Sequence, residues 1–455
     1  MTSRSQSPLI LYDVTRLVNR RRATIPTGID RIDLQLAYAI FERFGATCQP
    51  VIQTGHQTVV LEGERPLIIE LLQSLKITWF SAEQPSRQVA ARLDWLGVAS
   101  NAGYGSKKIE KNRIKQQPKT VQLTLKLRQL ALTLNQMAQA MQRFFTRPGF
   151  SNTSHIVYVN ASHQGVVRHP NALARLAGKT RLEIVSYIHD IMPIELPEYT
   201  RADQVTSLKA FLFELYQHPV SFAVNSKATA KSLFTYLSSN MTSEKKDTDI
   251  AYPEVIYPGI EIMEAPERNN KRDNLTPPSP RGFVMLGTIE PRKNHLMILN
   301  IWRELVSEKC DPMPHLHIIG RRGWDIENVV SMLDRCPSIQ PFVSEYSDLD
   351  DFAVCQHLKS CTALLFPSFA EGLGLPLVEA AQLGVPVIAS DLQIFRELVD
   401  SGVTYINPLA ATAWKSAIKR AAQPKGKLPT PRLHQGLGNW QVQGQKFANL
   451  IEKKL

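Results

Sequence analysis

One stretch, residues 363–386, limits most strongly what this chain can fold into. It begins with an apolar run, Ala363 to Phe366, which is typical of a buried strand in a parallel sheet. A loop with two glycines follows, and Pro376 then fits the first position of a helix that ends before Gly384. The loop therefore leads to a free helix N-terminus, whose N–H groups and dipole favour an anion such as a phosphate.

Two carboxylates flank that turn, with Glu371 before the helix and Glu379 about one turn into it. Ionised carboxylates only accept hydrogen bonds, so they suit sugar hydroxyls better than they suit phosphate oxygens. The spacing alone is equally compatible with Glu371 capping the helix and Glu379 lying in solvent.

A second block, residues 287–295, follows the apolar run Phe283 to Leu286. It contains a glycine turn and then the adjacent cations Arg292 and Lys293. Two cations just past a strand end can neutralise the charge that develops on a diphosphate leaving group. Arginine supplies a planar fork and lysine a point charge, so the two are not redundant.

In this order and separation the two blocks resemble the Glu-x7-Glu motif and its partner loop in retaining glycosyltransferases of the GT-B fold. The group is the family-four, or glycosyl transferases group 1, type, which includes bacterial mannosyl- and rhamnosyltransferases. The resemblance is good over about 280–400, fair over about 180–260 and thin between about 55 and 150. It implies an α/β protein with two Rossmann-like domains that face each other across a cleft.

The resemblance also assigns roles to residues. Those implied to bind the nucleotide sugar are Gly28, Gly287, Arg292, Lys293, Arg321, Gly372, Leu373, Gly374 and Glu379. Those implied to act in catalysis are Glu371, His189, Arg292 and Lys293. Glu371 would hold the sugar and Glu379 the ribose diol, while the two cations would stabilise the departing diphosphate.

The N-terminal half carries two weaker signals. The strand Leu9 to Val14 leads into a basic loop and then Thr27-Gly28-Ile29-Asp30-Arg31, which resembles the first cleft loop of the family. Glycine there lets the backbone approach a phosphate closely. The strand Leu182 to Ile188 delivers His189 and Asp190 at its carboxyl end, where ligands bind in open α/β sheets. This segment resembles the family loop whose histidine contacts the transferred sugar, and helix capping is its alternative.

Length and cysteine usage narrow the class of protein. With 455 residues the chain is too long for one ordinary core, which favours two domains. Its five cysteines form no Cys-x-x-Cys pair, so neither a zinc site nor a disulfide framework is indicated, and a reducing compartment is favoured. The first apolar run is too short for a signal peptide, and no run approaches the roughly 18 apolar residues that span a bilayer.

The net charge of +12 indicates an anionic partner, which could be nucleotide sugar, membrane lipid or nucleic acid. Ten lysine and arginine residues lie in the single segment 107–147. Apolar residues from Leu123 to Phe144 recur there at helical spacing. Such an amphipathic helix packs on the N-terminal domain, lies on an anionic membrane surface or packs against a partner chain. Nucleic-acid binding is suggested by charge alone, since no recognisable motif supports it.

The C-terminal half contains three smaller patterns: an aspartate cluster, a Gly-x-x-Gly-Trp string and a pair of histidines. Asp348-Leu349-Asp350-Asp351 could bind a metal, but the apolar face that follows it favours helix capping, and we expect no metal. Residues 320–324, Gly-x-x-Gly-Trp, resemble family members that use mannose- or rhamnose-type donors, with core packing as the alternative for Trp324. His315 and His317 are expected to point to opposite faces of a strand or into pairing.

These observations lead to one set of expectations. The N-terminal domain spans 1–275 with a basic helical insertion at about 105–148, the nucleotide-sugar domain spans 276–430, and residues 431–455 form a helix that crosses back. The chain is expected to be a retaining hexosyltransferase of surface polysaccharide (lipopolysaccharide) synthesis. It would move a mannose- or rhamnose-like sugar from a GDP- or UDP-linked donor to a saccharide or polyprenyl-linked saccharide, without metal. We expect it in the cytoplasm, with the inner face of the membrane as a candidate contact. The alternative is a catalytically silent GT-B subunit that binds a partner or membrane.

Overall fold

The structure is a computed structural model that describes residues 8–54, 57–61, 63–80, 86–93, 155–162, 172–178, 180–241, 250–259 and 282–455. These residues form two large sheets, one before residue 260 and one after residue 281. Helices cover both faces of each sheet, so the predicted pair of Rossmann-like α/β domains is confirmed. The predicted helical insertion at about 105–148 lies outside the described residues.

The N-terminal sheet has the strand order β3-β2-β1-β4-β5-β6-β7. Its strands are β1 (Leu9–Asp13), β2 (Cys48–Thr54), β3 (Gln57–Val60), β4 (His155–Asn160), β5 (Arg181–Ile188), β6 (Val220–Val224) and β7 (Glu254–Val255). Neighbouring strands are parallel except β2 and β3, which pair antiparallel. Side chains alternate between the two faces: Tyr12 joins one core and Leu11 the other, as the two-residue period of a strand requires.

The helices of this domain are α1 (Thr15–Asn19), α2 (Gly28–Phe44), α3 (Arg65–Phe80), α4 (Arg87–Arg92), α5 (Ala172–Ala177), α6 (Met192–Glu195), α7 (Ala202–Tyr216) and α8 (Lys227–Asn240). Helix α2 begins at Gly28 because Thr27 and Asp30 form a reciprocal capping box, so residues 28–31, predicted as the end of a loop, form its first turn. The predicted basic loop after β1 is partly wrong. Helix α1 occupies its first residues because the Asp13 carboxylate accepts the N–H of Thr15 at 2.9 Å and turns the chain.

The C-terminal sheet has the order β10-β9-β8-β11-β12-β14, and all its strands are parallel. Its strands are β8 (Gly282–Leu286), β9 (His315–Ile319), β10 (Val343–Tyr346), β11 (Ala363–Phe366), β12 (Val387–Ser390) and β14 (Val403–Ile406), with a separate antiparallel pair of β13 (Val399–Ser401) and β15 (Arg432–Leu433). Its helices are α9 (His295–Ser307), α10 (Glu327–Arg335), α11 (Asp351–Ser360), α12 (Leu375–Gln382), α13 (Gln393–Leu398) and α14 (Ala411–Ala422).

This strand order reverses direction between β8 and β11, where the crossovers leave to opposite sides. Loops that leave adjacent strands in opposite directions open a crevice at the carboxyl ends, and ligands of doubly wound sheets bind there. The loops at that point are residues 287–294 after β8 and residues 367–374 after β11. They are the two blocks that the sequence singles out.

The last helix, α15 (Trp440–Glu452), packs on the N-terminal domain although it follows the C-terminal sheet in the chain. Phe447 and Ile451 are fully buried in the same core as α2. Gly444 permits this close packing, since a Cβ at that position would lie 2.5 Å from the Cβ of Ala39. At its start Trp440 lies against Gly259, where a Cβ would come within 2.4 Å of the Trp440 backbone. Among the described residues no helix is both long and apolar enough to cross a bilayer.

Candidate active site

The two loops at the crevice are tied to each other by their backbones. Gly287 has a φ of 128°, which only glycine adopts readily, and it turns the chain away from β8. A 3-10 turn, Pro291–Lys293, follows, and the carbonyl of Arg292 accepts the N–H of Phe369 at 2.8 Å. Asn294 donates from its side chain to the carbonyl of Pro367 at 3.3 Å. These contacts hold the cationic turn against the loop that carries Glu371.

Glu371 is the centre of the site. Its two carboxylate oxygens bind the cations predicted to hold a diphosphate: Arg292 at 2.6 Å and Lys293 at 2.5 Å. The hydroxyl of Ser368 donates a third bond to Glu371 at 2.7 Å. Burial alone would raise the pKa of this carboxyl, but the two cations outweigh burial and hold the pKa at about 2. Glu371 is therefore ionised throughout the physiological range.

Arg292 is shared between two carboxylates, because Glu290 lies 2.5 Å from its Nε while Glu371 lies 2.6 Å from its Nη1. Burial raises the pKa of Glu290, and Arg292 opposes that shift. Lys293 is itself buried, which lowers its pKa, and its ammonium lies 4.7 Å above the Phe366 ring. Two cations and two carboxylates thus form a compact group whose formal charges cancel.

Helix α12 begins at Leu375, one residue earlier than predicted, so Pro376 is its second residue. The N-cap is Gly374, with a φ of 103°, and its N-terminus carries no side-chain cap. The alternative in which Glu371 caps this helix is therefore wrong, because that carboxylate turns toward Arg292 and Lys293 instead. In the first turn of α12, Pro376 has no N–H, and the N–H groups of Leu377 and Val378 donate to the carbonyl of Gly374 at 3.0 and 3.4 Å.

Glu379 lies one turn into α12 and is partly buried, so the alternative of a fully solvated side chain is wrong. Burial raises the pKa of its carboxyl, while Arg31 from the N-terminal domain lowers it and Asp351 raises it. Arg31 binds Asp351 with one nitrogen, 2.7 and 2.9 Å from its two oxygens. Glu379 therefore lies at the seam between the domains, eight residues after Glu371 in the chain.

The N-terminal domain meets the Glu371 loop at two points. A Cβ on Gly28 would lie 3.0 Å from Cδ1 of Leu375, so the first turn of α2 faces the first turn of α12. A Cβ on Gly372 would lie 2.6 Å from Oδ2 of Asp190, so this carboxylate touches the loop itself. Beside them the rings of Tyr199 and Phe369 stack across the cleft with centroids 5.2 Å apart.

His189 lies behind Asp190, at the carboxyl end of β5. It is 3% exposed, its Nε2 lies 2.7 Å from the carbonyl of Ala161, and its ring packs against Tyr187. Burial lowers its pKa to about 4, so the imidazole is neutral at physiological pH. The charges that act on it are Arg16 and Asp30, whereas Arg292 and Glu371 act on Asp190.

The remaining predicted residues lie around the end of β9. Arg321 is exposed there, and a Cβ on Gly320 would collide with the carbonyl of Gly287, which shows how closely the two strand ends approach. Trp324 is partly exposed and belongs to neither core of its domain, so core packing does not explain it.

As predicted, Asp350 caps α11 by accepting the N–H of Ala353 at 2.9 Å.

The expectation that His315 and His317 point to opposite faces is wrong, because residues two apart in a strand share a face. Their rings lie 4.6 Å apart, and His317 also lies 5.4 Å from His357. Within the ranges that the structure describes, no group of three or more histidine, cysteine, aspartate or glutamate side chains is arranged to hold a metal ion.

Sequence reasoning missed three participants in the site: Asp190, Ser368 and Glu290. Asp190 stands next to the histidine that the family pattern selects, and the one-residue step that turns Asp190 to the cleft follows only from the backbone after β5. Ser368 and Glu290 lie inside the quoted motifs, three residues before Glu371 and two before Arg292. Their spacing was available as a signal, since side chains so close to a charged group commonly hydrogen-bond to it.

Two facing Rossmann-like domains with a charged cleft between them define the GT-B class of fold, and solved structures agree. The structure superposes on sucrose-phosphate synthase from Thermosynechococcus elongatus with a TM-score of 0.54, at 13% identity, over 98% of this chain and 99% of that one. It superposes on Anabaena HepE in complex with UDP and glucose with a TM-score of 0.51, at 15% identity, over 98% and 100%. At these identities the likeness shows the fold alone.

Sequence comparison matches part of the chain to a known family. Residues 280–423, within the C-terminal domain, match the family model described as Glycosyl transferases group 1. The serotype-specific mannosyltransferase WbdA of Escherichia coli is 25% identical over 252 residues, which are 53% of this chain and 31% of WbdA. The O-antigen chain mannosyltransferase RfbU of Salmonella typhimurium is 44% identical over 61 residues, 13% of this chain and 17% of RfbU. The matches thus span less than a third of these two relatives.

Proposed function

We propose that the protein is a retaining glycosyltransferase of surface polysaccharide synthesis. It transfers a mannose- or rhamnose-like hexose from a nucleotide diphosphate sugar to a saccharide or lipid-linked saccharide, without a metal ion. One observation carries the proposal: Arg292, Lys293 and Glu371 meet at the switch point of the C-terminal sheet, beside the uncapped N-terminus of α12. A silent scaffold has no need to keep two cations and a carboxylate buried together, because such groups are costly to desolvate.

The donor enters by exchanging ion pairs. A diphosphate placed at the N-terminus of α12 attracts Arg292 and Lys293 away from Glu371, because it offers more negative charge than one carboxylate. The carboxylate released in this way accepts hydrogen bonds from sugar hydroxyls. Binding of the phosphates and grip on the sugar are therefore coupled through the same side chain.

In the transfer step the bond between the anomeric carbon and the diphosphate oxygen breaks. Arg292, Lys293 and the dipole of α12 stabilise the charge that develops on that oxygen. The acceptor hydroxyl attacks on the same face, and its proton passes to the departing phosphate oxygen. Retention follows from this geometry, and no separate general base is required.

Glu379 would bind the ribose diol, and Arg31 keeps its carboxyl available by favouring the ionised form. Gly28 and Gly287 would allow close approach of backbone to the donor, and exposed Arg321 would approach the nucleotide.

WbdA and RfbU are named as mannosyltransferases, which favours GDP-mannose as donor, whereas HepE was solved with UDP. The net charge of +12 favours work at the inner, anionic face of the membrane, reached from the cytoplasm.

The test is a thermal-shift panel of GDP- and UDP-linked sugars, followed by transfer assays with the sugar that binds. A ligand present at about 100 times its Kd should stabilise the protein by about 2.7 kcal/mol through mass action. Glu371→Gln should remove transfer while the exposed Glu327→Gln, on α10, behaves as the wild type. A wild-type protein that neither binds nor transfers any nucleotide sugar would favour the silent scaffold, whereas transfer that survives in Glu371→Gln would show that Glu371 is not needed for the reaction.

A further inference from the structure

Asp190, at the N-terminal side of the cleft, touches the loop that carries Glu371. Strand β5 ends at Ile188, and the chain then turns so that Asp190 reaches across the cleft to the Glu371 loop. Contact with Gly372 is possible only because that residue lacks a Cβ, which would lie 2.6 Å from Oδ2 of Asp190 and 3.0 Å from its Cβ. The N-terminal domain thus places a carboxylate directly on the loop that would hold the sugar.

The two oxygens of Asp190 have different surroundings. Oδ1 accepts the N–H of Met192 at 3.1 Å and so fixes the start of α6. Oδ2 faces Gly372, and within the described residues no donor binds it. A local turn needs only one of these oxygens, and serine or asparagine would serve it equally well. The second oxygen is therefore available to a ligand.

The charges around Asp190 belong to the site. Arg292 attracts it, while Glu371 and, more weakly, Glu195 repel it. Burial raises the pKa of the carboxyl, because removing the ionised group from water costs free energy. A hydrogen bond from a sugar hydroxyl would offset part of that cost. Glu371 approaches the same space from the C-terminal domain. A sugar bound between them would have one carboxylate on each side.

We propose that Asp190 contacts the transferred sugar, with Oδ2 accepting a hydrogen bond from one of its hydroxyls on the side opposite Glu371. This rests on the proposed function, because it assumes that a nucleotide sugar enters the cleft. The contact joins the two domains through the sugar, and it is absent when a nucleoside diphosphate binds alone. Asp190 therefore affects recognition of the sugar and leaves recognition of the phosphates unchanged.

Two variants separate this role from a local structural one. Asp190→Ser keeps an acceptor for the N–H of Met192 and removes Oδ2, while Asp190→Asn keeps the shape and removes the charge. The control is Glu198→Gln, an exposed carboxylate in the same connection after β5. For each protein we would measure the unfolding temperature, the Kd for GDP and UDP, the Kd for the matching nucleotide sugars, and kcat for transfer.

We expect Asp190→Ser and Asp190→Asn to bind the nucleoside diphosphate like the wild type and to lose transfer by about a hundredfold, the usual effect of removing one group that stabilises a transition state. The Kd for the nucleoside diphosphate divided by the Kd for the matching nucleotide sugar should fall toward one in both variants. A purely structural role of Asp190 in the loop would not change this ratio.

Wild-type transfer by Asp190→Ser would overturn the proposal. So would a parallel loss of diphosphate binding and transfer, which would mean that Asp190 only shapes the loop. A folded wild-type protein that binds no nucleotide sugar would instead overturn the proposed function, and the role of Asp190 with it.

Discussion

Arg31 of the N-terminal domain and Asp351 of the C-terminal domain form a two-point ion pair across the cleft, with N–O distances of 2.7 and 2.9 Å. Their side chains are 19% and 32% exposed, so water screens the pair in part. The pair should therefore contribute no more than about 1 kcal/mol to stability. Its larger effect is positional, since it holds Arg31 beside Glu379.

A double-mutant cycle checks this. Arg31→Ala, Asp351→Ala and the double variant should give a coupling free energy of about 0.5–1 kcal/mol in urea unfolding. In addition, Arg31→Ala should weaken nucleotide binding more than Asp351→Ala does, because it alone removes the cation that favours ionised Glu379. A wild-type Kd for nucleotide in Arg31→Ala would contradict a role for this cation at Glu379.

Glu397 on α13 binds the N-terminus of α8 in the other domain. Its carboxylate accepts the N–H groups of Lys227 at 2.5 Å and Ala228 at 3.2 Å, and the hydroxyl of Tyr257 at 2.8 Å. Glu397→Ala should cost about 1–3 kcal/mol because it removes a helix cap together with a side-chain bond. Tyr257→Phe removes one bond only and should cost about 1 kcal/mol. Urea unfolding measures both, and equal losses would show that the cap contributes nothing.

Acid should destabilise the protein through buried histidines. His317 is 4% exposed, and burial, reinforced by His315 and His357, lowers its pKa to about 4. Because the unfolded chain binds this proton near pH 6.5, the stabilisation is present above pH 6.5 and is lost as the pH falls toward 4. His317 alone should remove about 1–2 kcal/mol between pH 7 and pH 5.

His317→Gln is the test, since the amide keeps a hydrogen-bonding group beside the Tyr346 hydroxyl. The variant should lose less unfolding free energy than the wild type over the same pH interval. His189 and His295, whose pKa values are about 4 and about 3, add slope to both proteins and cancel in the comparison. Superimposable pH profiles would show that His317 does not titrate on unfolding.

Asp33 should act in the opposite direction. It is fully buried on α2, and burial raises its pKa to about 8, although a bond from the Tyr12 hydroxyl at 3.0 Å opposes the shift. The unfolded group titrates near pH 3.9, so the native state holds the extra proton, and stability falls as the pH rises from about 4 to about 8. The loss between pH 6 and pH 8 should be about 1–3 kcal/mol.

Asp33→Asn tests this because it keeps the oxygen that accepts the Tyr12 bond and cannot ionise. The variant should gain stability relative to the wild type at pH 8 and lose that advantage at pH 5. A wild-type protein whose unfolding free energy is constant between pH 6 and pH 8, after correction for the histidines, would show that Asp33 is not protonated in the native state.

The fold and the chemical core of the site were predictable because their signals are local. The strand β11, the glycine loop and helix α12 follow from an apolar run, a proline and Gly384 within about twenty residues, which is the range over which turn and capping rules act. The cationic turn after β8 is equally local. Its partnership with Glu371 joins residues 78 apart in sequence, and only the sheet order β8-β11 brings them together.

The directions in which several side chains point could not be predicted from the sequence, because they depend on the backbone conformation of loops and on contacts between distant elements. Whether His189 or Asp190 faces the cleft depends on one residue of backbone after β5, and the Asx bond to Met192 decides it. Trp324 lies outside both cores of its domain because its loop follows the end of β9, beyond the layer of helices. His317 and His357 met because β9 and α11 are neighbours in space, across a gap of forty residues that no periodicity spans.

The contact of Gly259 with Trp440 has a mechanical consequence. The chain passes between the domains twice, and Gly259, the last described residue before the first passage, packs against Trp440, which follows the second passage. A contact that joins the described ends of both passages should act as a pivot between the domains. Opening should then be widest at the far rim, where Tyr199 meets Phe369, and smallest next to the pivot.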